Sequence, residues 1–579
     1  MSLKPIYELD TTTMVDENHN ILVYQDNRLK TLNSKEVFYT KDEIHNKVVI
    51  PKNNIIESLA NLHVKTPSDV TLYDLINYVD KIDLFEIGVR RLVHDGTDTR
   101  EFTGTPSVDN NPKFVNMGNP QTSNTLERCY KIGGMLTVIP RIISTNPDED
   151  LIYAGISSSN SPNRNDFHGG LYASDKWSSG IYPWNSMEKV TDEHGNYFTK
   201  VPLYFIKEEY VTDTGIDVSA SWPTIPDKYI NNIIYKYIFV CKTRLPGYRP
   251  AEFFYDYKKY NMIEDNEGEY VYIQDLECYT IPLYYNSNDI RYKLSTEKTD
   301  TYTKILTRDH YFSCYEASTE IVDGKSYIAS KPNIMVEDSI KLPQFRTLCK
   351  DTDEYYYISD MRSHVDFFCT LFSIEFATTN CQSVTYGSIN NSTDYMTGQC
   401  DDIEFRTAYN SNLAIQYAPF KWNWIENIYG GKSKYIDGIM VRHESDENGL
   451  LENCVYLSNN PDLYNDTLKN YTKLRYILPS EFLNSSNVRT ASNGYVTQLG
   501  YDPVYPWCQL PSKCSSSVSG YCDRFQQASN SLSANSTCAI ITGVSEGYPN
   551  YSGLYSYYST INDVNSRIGI GIFFEKPGK

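Results

Sequence analysis

The sequence predicts an α+β protein in which short strands outnumber helices. After residue 180, strand-like runs rich in aromatic residues dominate, among them VPLYFIKEEYV and YVYIQDL. Two segments between these runs have apolar residues at helical spacing instead. No repeat of fixed period occurs, which argues against a solenoid or a propeller. A chain of 579 residues also exceeds one ordinary core, so we expect roughly two to four domains.

Two helices are predicted between the strands of the C-terminal part. The first, within IKLPQFRTLCKDT, is expected around residues 343–350. The second lies in MRSHVDFFCTLFSIEFATTN, where apolar residues at helical spacing form a single face. The residues of this face are Met361, Val365, Phe368, Cys369, Phe372 and Phe376. Helices inserted between strands indicate an α+β arrangement and not a sandwich of two sheets.

The first 180 residues differ in character from the rest. Apolar residues recur at helical spacing over residues 72–93, which predicts an amphipathic helix. Residues 101–180 are rich in Asn, Ser, Pro and Gly, which is typical of irregular β structure. We therefore predict a smaller mixed N-terminal domain over 1–100, a β-rich linker region over 101–180 and a large domain over 181–579.

Composition and charge exclude several classes of partner. The formal net charge of −20 argues against a nucleic-acid partner, because phosphate binding needs clustered Lys and Arg. The sequence contains no apolar stretch of about 18 residues, so membrane insertion is not predicted. The N-terminal segment MSLKPIYELDTTTMVDENHN has no apolar core, so we expect no signal peptide and synthesis in a cytoplasm. The 51 tyrosines suit half-buried strands and, in a minority of cases, exposed recognition surfaces.

The cysteines leave their redox state open. Thirteen is an odd number, and no pair has the C-x-x-C spacing of common zinc and thioredoxin-type sites. Four of them cluster near the C-terminus: Cys508, Cys514, Cys522 and Cys538. They are compatible with two disulfides or with four reduced thiols.

Catalytic motifs were sought, and none was found. The nine histidines are scattered, and no H-E-x-x-H, G-x-S-x-G or Walker motif occurs. Two acidic clusters, at residues 401–404 and 444–448, offer enough oxygen ligands for a hard cation. In an acidic chain such loops are most often solvated surface. We therefore expect a protein that is not an enzyme, with its metal ligands unassigned and calcium as an open possibility.

Three details of the segment around residue 430 carry local predictions. Asn427 and Gly430 suit a turn. Asp437-Gly438 is a hairpin-type dipeptide between two isoleucines. Trp422 and Trp424 alternate, so both are expected on the core side of one strand.

A series of short motif-like segments occurs at residues 181–187, 201–207, 246–253, 310–318, 345–349, 373–387, 424–439 and 558–575. In content and order this series resembles the C-type-lectin-like tail-fibre and head-fibre proteins of bacteriophages, relatives of the variable proteins that diversity-generating retroelements mutate. The chain departs from the family pattern at Gly430-Gly431-Lys432, where glycine-asparagine-tryptophan is usual. It departs again at Ile570, where an arginine is common. The resemblance implies that 181–579 is a C-type-lectin-like domain with β-rich insertions.

The resemblance also implies a function. The chain would be a bacteriophage virion surface protein, either a tail fibre, a receptor-binding protein or a head fibre, that recognises a host surface glycan or protein without chemistry. Its N-terminal domain would attach it to the virion, and we expect other virion proteins and further copies of the chain as partners. The alternative is a structural capsid-decoration or baseplate protein with a lectin-like fold.

In the retroelement-diversified relatives, the variable positions lie just before the closing strand. The matching segment here is EGYPNYSGLYSYYSTINDVNS, in which aromatic residues alternate with small polar ones. Its candidate ligand-binding residues are Tyr548, Asn550, Tyr551, Tyr555, Tyr557 and Tyr558. The alternative for Tyr555 and Tyr557 is that they face inward on a strand and belong to the core.

Overall fold

A computed structural model describes the main part of the chain. The described residues are 20–25, 28–33, 85–96, 126–132, 135–139, 181–221, 225–258, 262–264, 271–273, 278–280, 298–299, 302–379, 381, 395–401, 420–445, 451–477, 480–483, 489–491, 494–500, 504–505, 507–515, 523–527, 537–543, 553–561 and 570–578. Within them the protein is mostly β-strand with few helices, as expected for a β-rich α+β fold.

The strands are numbered in chain order. Those up to residue 212 are β1 (Asn20–Gln25), β2 (Arg28–Asn33), β3 (Phe85–Asp95), β4 (Glu127–Ile132), β5 (Met135–Ile139), β6 (Glu188–Thr191), β7 (Tyr197–Pro202) and β8 (Phe205–Thr212). The next are β9 (Ile233–Cys241), β10 (Arg249–Pro250), β11 (Tyr255–Lys258), β12 (Met262–Glu264), β13 (Val271–Ile273), β14 (Cys278–Thr280), β15 (Lys298–Thr299), β16 (Tyr302–Leu306), β17 (Asp309–Ser313), β18 (Ser318–Val322), β19 (Lys325–Ala329) and β20 (Tyr357–Ile358). The last are β21 (Lys421–Trp422), β22 (Ile425–Glu426), β23 (Ser433–Ser445), β24 (Leu451–Leu457), β25 (Thr472–Ile477), β26 (Ser480–Leu483), β27 (Arg489–Ala491), β28 (Gly494–Leu499), β29 (Pro511–Ser515), β30 (Arg524–Gln527), β31 (Thr537–Thr542), β32 (Tyr557–Ile561), β33 (Ile570–Gly571) and β34 (Phe574–Pro577).

Helical structure is concentrated between β19 and β21. The described helices are α1 (Leu342–Thr352), α2 (Met361–Ser363) and α3 (Thr370–Phe376), with a π-helical turn at His364–Cys369. Short 3-10 turns lie at Trp184–Ser186, Asp227–Tyr229, Glu252–Phe254 and Pro461–Leu463. No helix among the described residues is long and apolar enough to cross a bilayer.

The chain divides into two compact units. The first comprises Met1–Glu86 and Lys131–Leu136, and it contains the antiparallel pair β1–β2. The second comprises Ile87–Tyr130 and Thr137–Lys579. Within the second unit, β3 shares a sheet with β8 and β9, which come from the predicted large domain. The predicted division at residues 100 and 180 stays a prediction.

Three sheets organise the second unit. Six strands, each with residues in this unit, form a sheet in the order β10-β8-β9-β3-β4-β5. A five-stranded sheet has the order β20-β34-β17-β7-β6, so that the C-terminal strand lies inside it. The largest sheet has nine strands, in the order β25-β24-β23-β31-β32-β30-β28-β29, with β33 paired to β23.

The predicted first helix is confirmed as α1. Its N-terminus is fixed by the backbone N–H of Lys341, which donates to Oε1 of Gln344 at 2.9 Å, and Pro343 occupies the first turn where no N–H is needed. Leu342, Phe345 and Cys349 are buried and pack against the five-stranded sheet through Ile358 and Phe574. The sequence therefore predicts the position of this helix, within two residues at its C-terminal end.

The predicted second helix is confirmed as α2, the π-helical turn and α3 in succession, and the six residues of its predicted apolar face are buried. Every other side chain from Met361 to Phe376 is buried as well, so the segment lies inside the core. Its buried charges are paired or hydrogen-bonded: Asp366 accepts from Arg249 at 2.6 Å, and Glu375 accepts from Nε1 of Trp422 at 2.7 Å. Asp360 caps its start by accepting from the backbone N–H of Arg362 at 2.9 Å.

The amphipathic helix predicted over 72–93 is wrong where the structure describes it. Residues 85–95 form β3, and the rest of the predicted helix lies outside the described residues. Ile87 and Val89 are buried in the main core at two-residue spacing, the period of a strand. Gly88 has to lack a side chain, because a Cβ there would lie 2.1 Å from the carbonyl oxygen of Ile238 on β9.

Two local predictions around residue 430 are also wrong. Trp422 is buried, but Asn423 and Trp424 form the turn between β21 and β22, with φ of 46° and 64°. Trp424 therefore packs only partly against the core. Asp437-Gly438 makes no hairpin and instead lies at a bulge within β23, where pairing with β31 shifts between Ile436 and Met440. The turn predicted at Asn427 and Gly430 is confirmed by their φ values of 52° and 78°.

Of the C-terminal cysteine cluster, Cys508, Cys514 and Cys538 are buried and are not joined by a disulfide, while Cys522 lies outside the described residues. Burial raises the pKa of the Cys538 thiol to about 12, which keeps it protonated and unreactive at neutral pH.

Candidate ligand-binding site

The residues predicted to bind a ligand fall into three groups. Tyr548, Asn550 and Tyr551 lie outside the described residues. Tyr555 and Tyr557 are buried, with 7% and 1% of their surface exposed, so the inward-facing alternative describes them. Tyr558, on β32, is half-buried against the second core cluster. A binding role for Tyr548, Asn550, Tyr551 and Tyr558 stays a prediction.

Tyr555 is nevertheless part of a pocket. Its hydroxyl shares a hydrogen bond of 2.8 Å with the hydroxyl of Ser373 on α3. Its backbone N–H donates to Oδ2 of Asp523 at 2.8 Å. These bonds fix the ring against the six-stranded sheet. The residues that line the pocket are Val89, Arg90, Arg91, Leu126, Lys236, Ile238, Ser373, Thr379, Leu499, Gln509 and Tyr555.

The pocket is small and mixed in character. Its cavity has a volume of about 30 Å³, enough for one or two water-sized groups. Aliphatic side chains form part of the wall, and the polar side chains there come from Arg, Lys, Ser, Thr, Gln and Tyr. No Asp or Glu is among the lining residues, although the whole chain is strongly acidic. The arrangement therefore offers mainly hydrogen-bond donors to a bound group.

Strand pairing explains the deepest polar group of this pocket. On β9, Lys236 lies opposite Tyr210 of β8, and Ile238 lies opposite Glu208. Lys236 and Glu208 are therefore diagonal neighbours on one face of the sheet. Nζ of Lys236 lies 2.5 Å from Oε2 of Glu208. Gln509 adds a hydrogen bond of 3.2 Å from its Nε2 to the other carboxylate oxygen of Glu208.

Burial lowers the pKa of Lys236 to about 8, despite the nearby Glu208 carboxylate, which acts in the opposite direction. The Arg91 guanidinium contributes further to the lowering. Only 1% of the Lys236 surface is exposed. The group is thus charged at neutral pH but close to losing its proton.

The two neighbouring arginines of β3 differ in direction, as consecutive strand residues do. The Arg90 side chain makes a 2.6 Å bond to Glu127 of β4 and stacks over the ring of Tyr235, 4.1 Å from its centroid. It is held on that face of the sheet. Arg91 is the arginine whose charge acts on Lys236. Arg90 also lines the pocket, but its charge is paired with Glu127, so Lys236 and Arg91 are the other cations there.

Lys236 was missed in the sequence. It stands in IIYKYIFVC, a run that otherwise reads as an apolar and aromatic strand. A lone charge at an inward position of such a run is a usable signal, because Lys is almost never fully buried without a partner. The partner of Lys236 is Glu208, which stands two residues before Tyr210 in the preceding strand β8.

Within the described residues, neither of the two acidic clusters forms a set of side chains that could hold a metal ion. Asp401 accepts a 2.6 Å hydrogen bond from the Tyr315 hydroxyl, and Glu444 is held by Lys473 at 2.5 Å. The other members of both clusters, except Ser445, lie outside the described part of the chain.

A different group has ligand-like spacing. Among the described residues, one set of at least three suitable side chains has its ligand atoms within 4.8 Å of one another: Glu193, His194 and Asp353. Glu193 and His194 are exposed, and Nε2 of His194 lies 3.7 Å from Oδ2 of Asp353. The same geometry is that of an ordinary surface ion pair.

A second buried polar network lies between the loops near residues 398 and 430. Glu426, with 1% of its surface exposed, accepts from the backbone N–H groups of Gly398 and Cys400, each at 2.9 Å. Burial raises the pKa of the Glu426 carboxyl to about 7, and the nearby Glu316 carboxylate adds to this rise. Glu316 is itself paired with Lys434 at 2.9 Å. The contacts join backbone segments, so this network is structural.

The chain matches no protein-family model, and no curated protein matches its sequence.

Proposed function

We propose that the chain is a bacteriophage virion surface protein, of the tail-fibre, receptor-binding or head-fibre kind, whose C-type-lectin-like domain recognises a host surface glycan or protein without chemistry. The pocket at Tyr555 is the observation that carries the proposal. It opens beside the segment to which the family resemblance assigns ligand binding, and its polar wall consists of groups that bind rather than react. Several copies on one particle would convert weak single-site affinity into avidity.

The arrangement of the sheets supports the lectin-like part of the proposal. The motif segments at 201–207, 310–318 and 558–575 are far apart in the chain, yet three strands next to or within them are adjacent. In the five-stranded sheet, His310 of β17 pairs with Val201 of β7 on one side and with Pro577 of β34 on the other. The two predicted helices lie between β17 and β34 in the chain and pack against the same core. Segments related by the resemblance thus belong to one folded body.

Surface features also support the alternative, a structural decoration or baseplate protein. At the turn between β18 and β19, Ile321 and Val322 have 76% and 52% of their surface exposed. Met335 and Met396 are also exposed and lie side by side in an isolated bridge. Apolar side chains of this kind suit packing against neighbouring virion proteins.

Two measurements on the full chain test the proposal. Antibodies raised against the full chain should label intact phage particles, as seen by electron microscopy. Fluorescently labelled full chain should bind intact bacteria of the host strain saturably, and unlabelled chain should compete. Labelled particles without cell binding would favour the structural alternative. Absence of the chain from the particles would overturn both.

A further inference from the structure

We propose that the pocket bounded by β3, β9 and Tyr555 binds the carboxylate of an acidic sugar, with the ammonium of Lys236 as its principal donor. The inference rests on the proposed function only in naming a glycan as the source of that carboxylate. The chemistry itself follows from the pocket.

The hydrogen bonding of Lys236 is the first argument. An ammonium group has three N–H donors. The Glu208 carboxylate, 2.5 Å from Nζ, takes one of them, and Nζ has no further hydrogen-bond partner within the described part of the chain. A buried charge is costly unless it is both paired and hydrogen-bonded. A ligand oxygen in the pocket would supply the missing bonds.

The sign of the charge is the second argument. The donors that meet here include two cations, Lys236 and Arg91, and the wall contains no carboxylate. Glu208 lies on the same face of the sheet, where it pairs with Lys236 and accepts from Gln509, so it offsets one of these two positive charges and leaves the other. An anionic oxygen is therefore favoured over a neutral one, because charge-assisted hydrogen bonds are about twice as strong as neutral ones.

The volume of the cavity limits the size of the bound group. A cavity of about 30 Å³ has room for a planar carboxylate but not for a sugar ring. The ring would stay outside the cavity, which Leu126, Ile238 and Tyr555 line with apolar surface. A monosaccharide with an exposed carboxylate meets these limits.

Calorimetric titration of the full chain tests the inference. The probes are N-acetylneuraminic acid and glucuronic acid, which carry the carboxylate on different sugars, with glucose and the methyl ester of each acid as neutral controls. Both acids should bind, and loss of the charge in the esters should weaken binding by about tenfold or more. A sulfated monosaccharide serves as a further arm, and equal binding of it would overturn the assignment to a carboxylate.

Two variants with opposite expected effects separate the role of Lys236 from a general loss of structure. Lys236→Met should lose about tenfold or more in affinity for both acids. Glu208→Gln removes the competing carboxylate but also the charge that raises the pKa of Lys236, so affinity should rise severalfold when it is measured at about pH 5.5, where the ammonium keeps its proton. Lys325→Met, at an exposed position in the β18–β19 turn region, should bind like the unchanged protein. Thermal unfolding of each variant checks that it is folded.

Failure of this inference can be told from failure of the proposed function. Unchanged affinity in Lys236→Met, or equal binding of the esters, would overturn the inference. The inference would also be overturned if neither acid binds while the labelled chain still binds host cells. In that case the proposed function would stand, with a receptor of other chemistry. Acid binding that depends on Lys236, without any binding to cells, would support the pocket and overturn the function.

Discussion

Lys236 and Glu208 form an ion pair, with Nζ and Oε2 2.5 Å apart, on the face of the six-stranded sheet that lies beneath Tyr555. The pair is set by the antiparallel register of β8 and β9, which makes the two residues diagonal neighbours. It places a buried ammonium in a pocket that is also lined by Tyr555, from the segment before the closing strand.

Ligand binding should weaken in alkaline solution. Burial and Arg91 lower the pKa of Lys236 to about 8, and Arg249 acts in the same direction, while Glu208 opposes it. Tyr210 is the other side chain beside Nζ, with its ring centroid 5.8 Å away. Above about pH 8 the free protein loses this proton, so affinity for a carboxylate should fall by up to about tenfold per pH unit.

Titrations between about pH 6 and about pH 10 measure this effect, with glucuronic acid as the probe because its carboxylate stays ionised throughout. Lys236→Met should show a flat profile over the same range. An affinity in the unchanged protein that does not vary up to about pH 10 would rule out Lys236 as the donor.

Stability should depend on the protonation of Glu426. Its carboxyl has an ordinary pKa of 4.5, and burial next to Glu316 raises it to about 7. Between these values the folded state holds a proton that the unfolded state has lost. The free energy of unfolding therefore falls as pH rises from about 4.5 to about 7, by roughly 3 kcal/mol, and is then constant.

Glu426→Gln cannot titrate, so its stability relative to the unchanged protein should rise by roughly 3 kcal/mol between about pH 4 and about pH 8. Urea unfolding at both pH values measures this. The exposed Glu193→Gln is the matched control and should show no such change. Parallel pH profiles for the unchanged protein and Glu426→Gln would be evidence against the raised pKa.

The ion pair between Arg346 and Asp437 should be essential for the stability of the nine-stranded sheet. Arg346 on α1 donates through Nε and Nη2 to the two carboxylate oxygens of Asp437, at 2.8 and 2.7 Å, and through Nη1 to Asp466 at 2.7 Å. Asp437 has 1% of its side-chain surface exposed. Arg346→Met leaves this charge buried and unpaired, so unfolding should become easier by about 3 to 5 kcal/mol.

Chemical denaturation of three variants tests that assignment. The double variant Arg346→Met with Asp437→Asn removes both charges and should recover part of the loss. Lys350→Met, which breaks a surface pair with Asp462, should cost less than about 1 kcal/mol. An equal cost for Arg346→Met and Lys350→Met would contradict the importance of burial.

Gly431 should tolerate no side chain, for a reason other than its backbone angles. A Cβ there would lie 2.6 Å from both carboxylate oxygens of Glu316 and 2.8 Å from the Tyr395 hydroxyl. Gly431→Ala must displace this buried network, which should cost about 3 kcal/mol.

Gly324 supplies the comparison. Its φ is 77°, but nothing lies within 4 Å of an added Cβ. Gly324→Ala should therefore cost only the backbone strain, about 1 to 2 kcal/mol. Thermal unfolding compares the two, and a larger loss in Gly324→Ala would refute the crowding argument.

Local signals in the sequence were sufficient where packing followed the local pattern. The helix α1 has a proline in its first turn and was placed by its sequence at about the residues where it lies. The buried helix that follows was found as a helix, but its surroundings were not. Spacing identifies an apolar stripe, whereas burial on every side depends on the sheets that surround Phe367 and Leu371.

Other structural features depend on pairing between strands that are distant in the sequence, so local sequence patterns could not predict them. Gly438 adopts a positive φ as an Asp-Gly turn would, yet β23 continues through it because β31 and β24 pair along the strand. Gly88 is a strand residue because β9 approaches it closely. Lys236 becomes part of a pocket only because α3 and the segment at Tyr555 lie next to β9. No single stretch of sequence contains these neighbours.

The most direct test of the account is competition for cell binding. Labelled full chain should bind host bacteria saturably, and an excess of a sugar acid should displace it, whereas its methyl ester should not. Lys236→Met should bind these cells at least about tenfold more weakly than Lys325→Met. Cell binding that is unaffected both by the free acid and by Lys236→Met would contradict the claim that this pocket recognises the host surface.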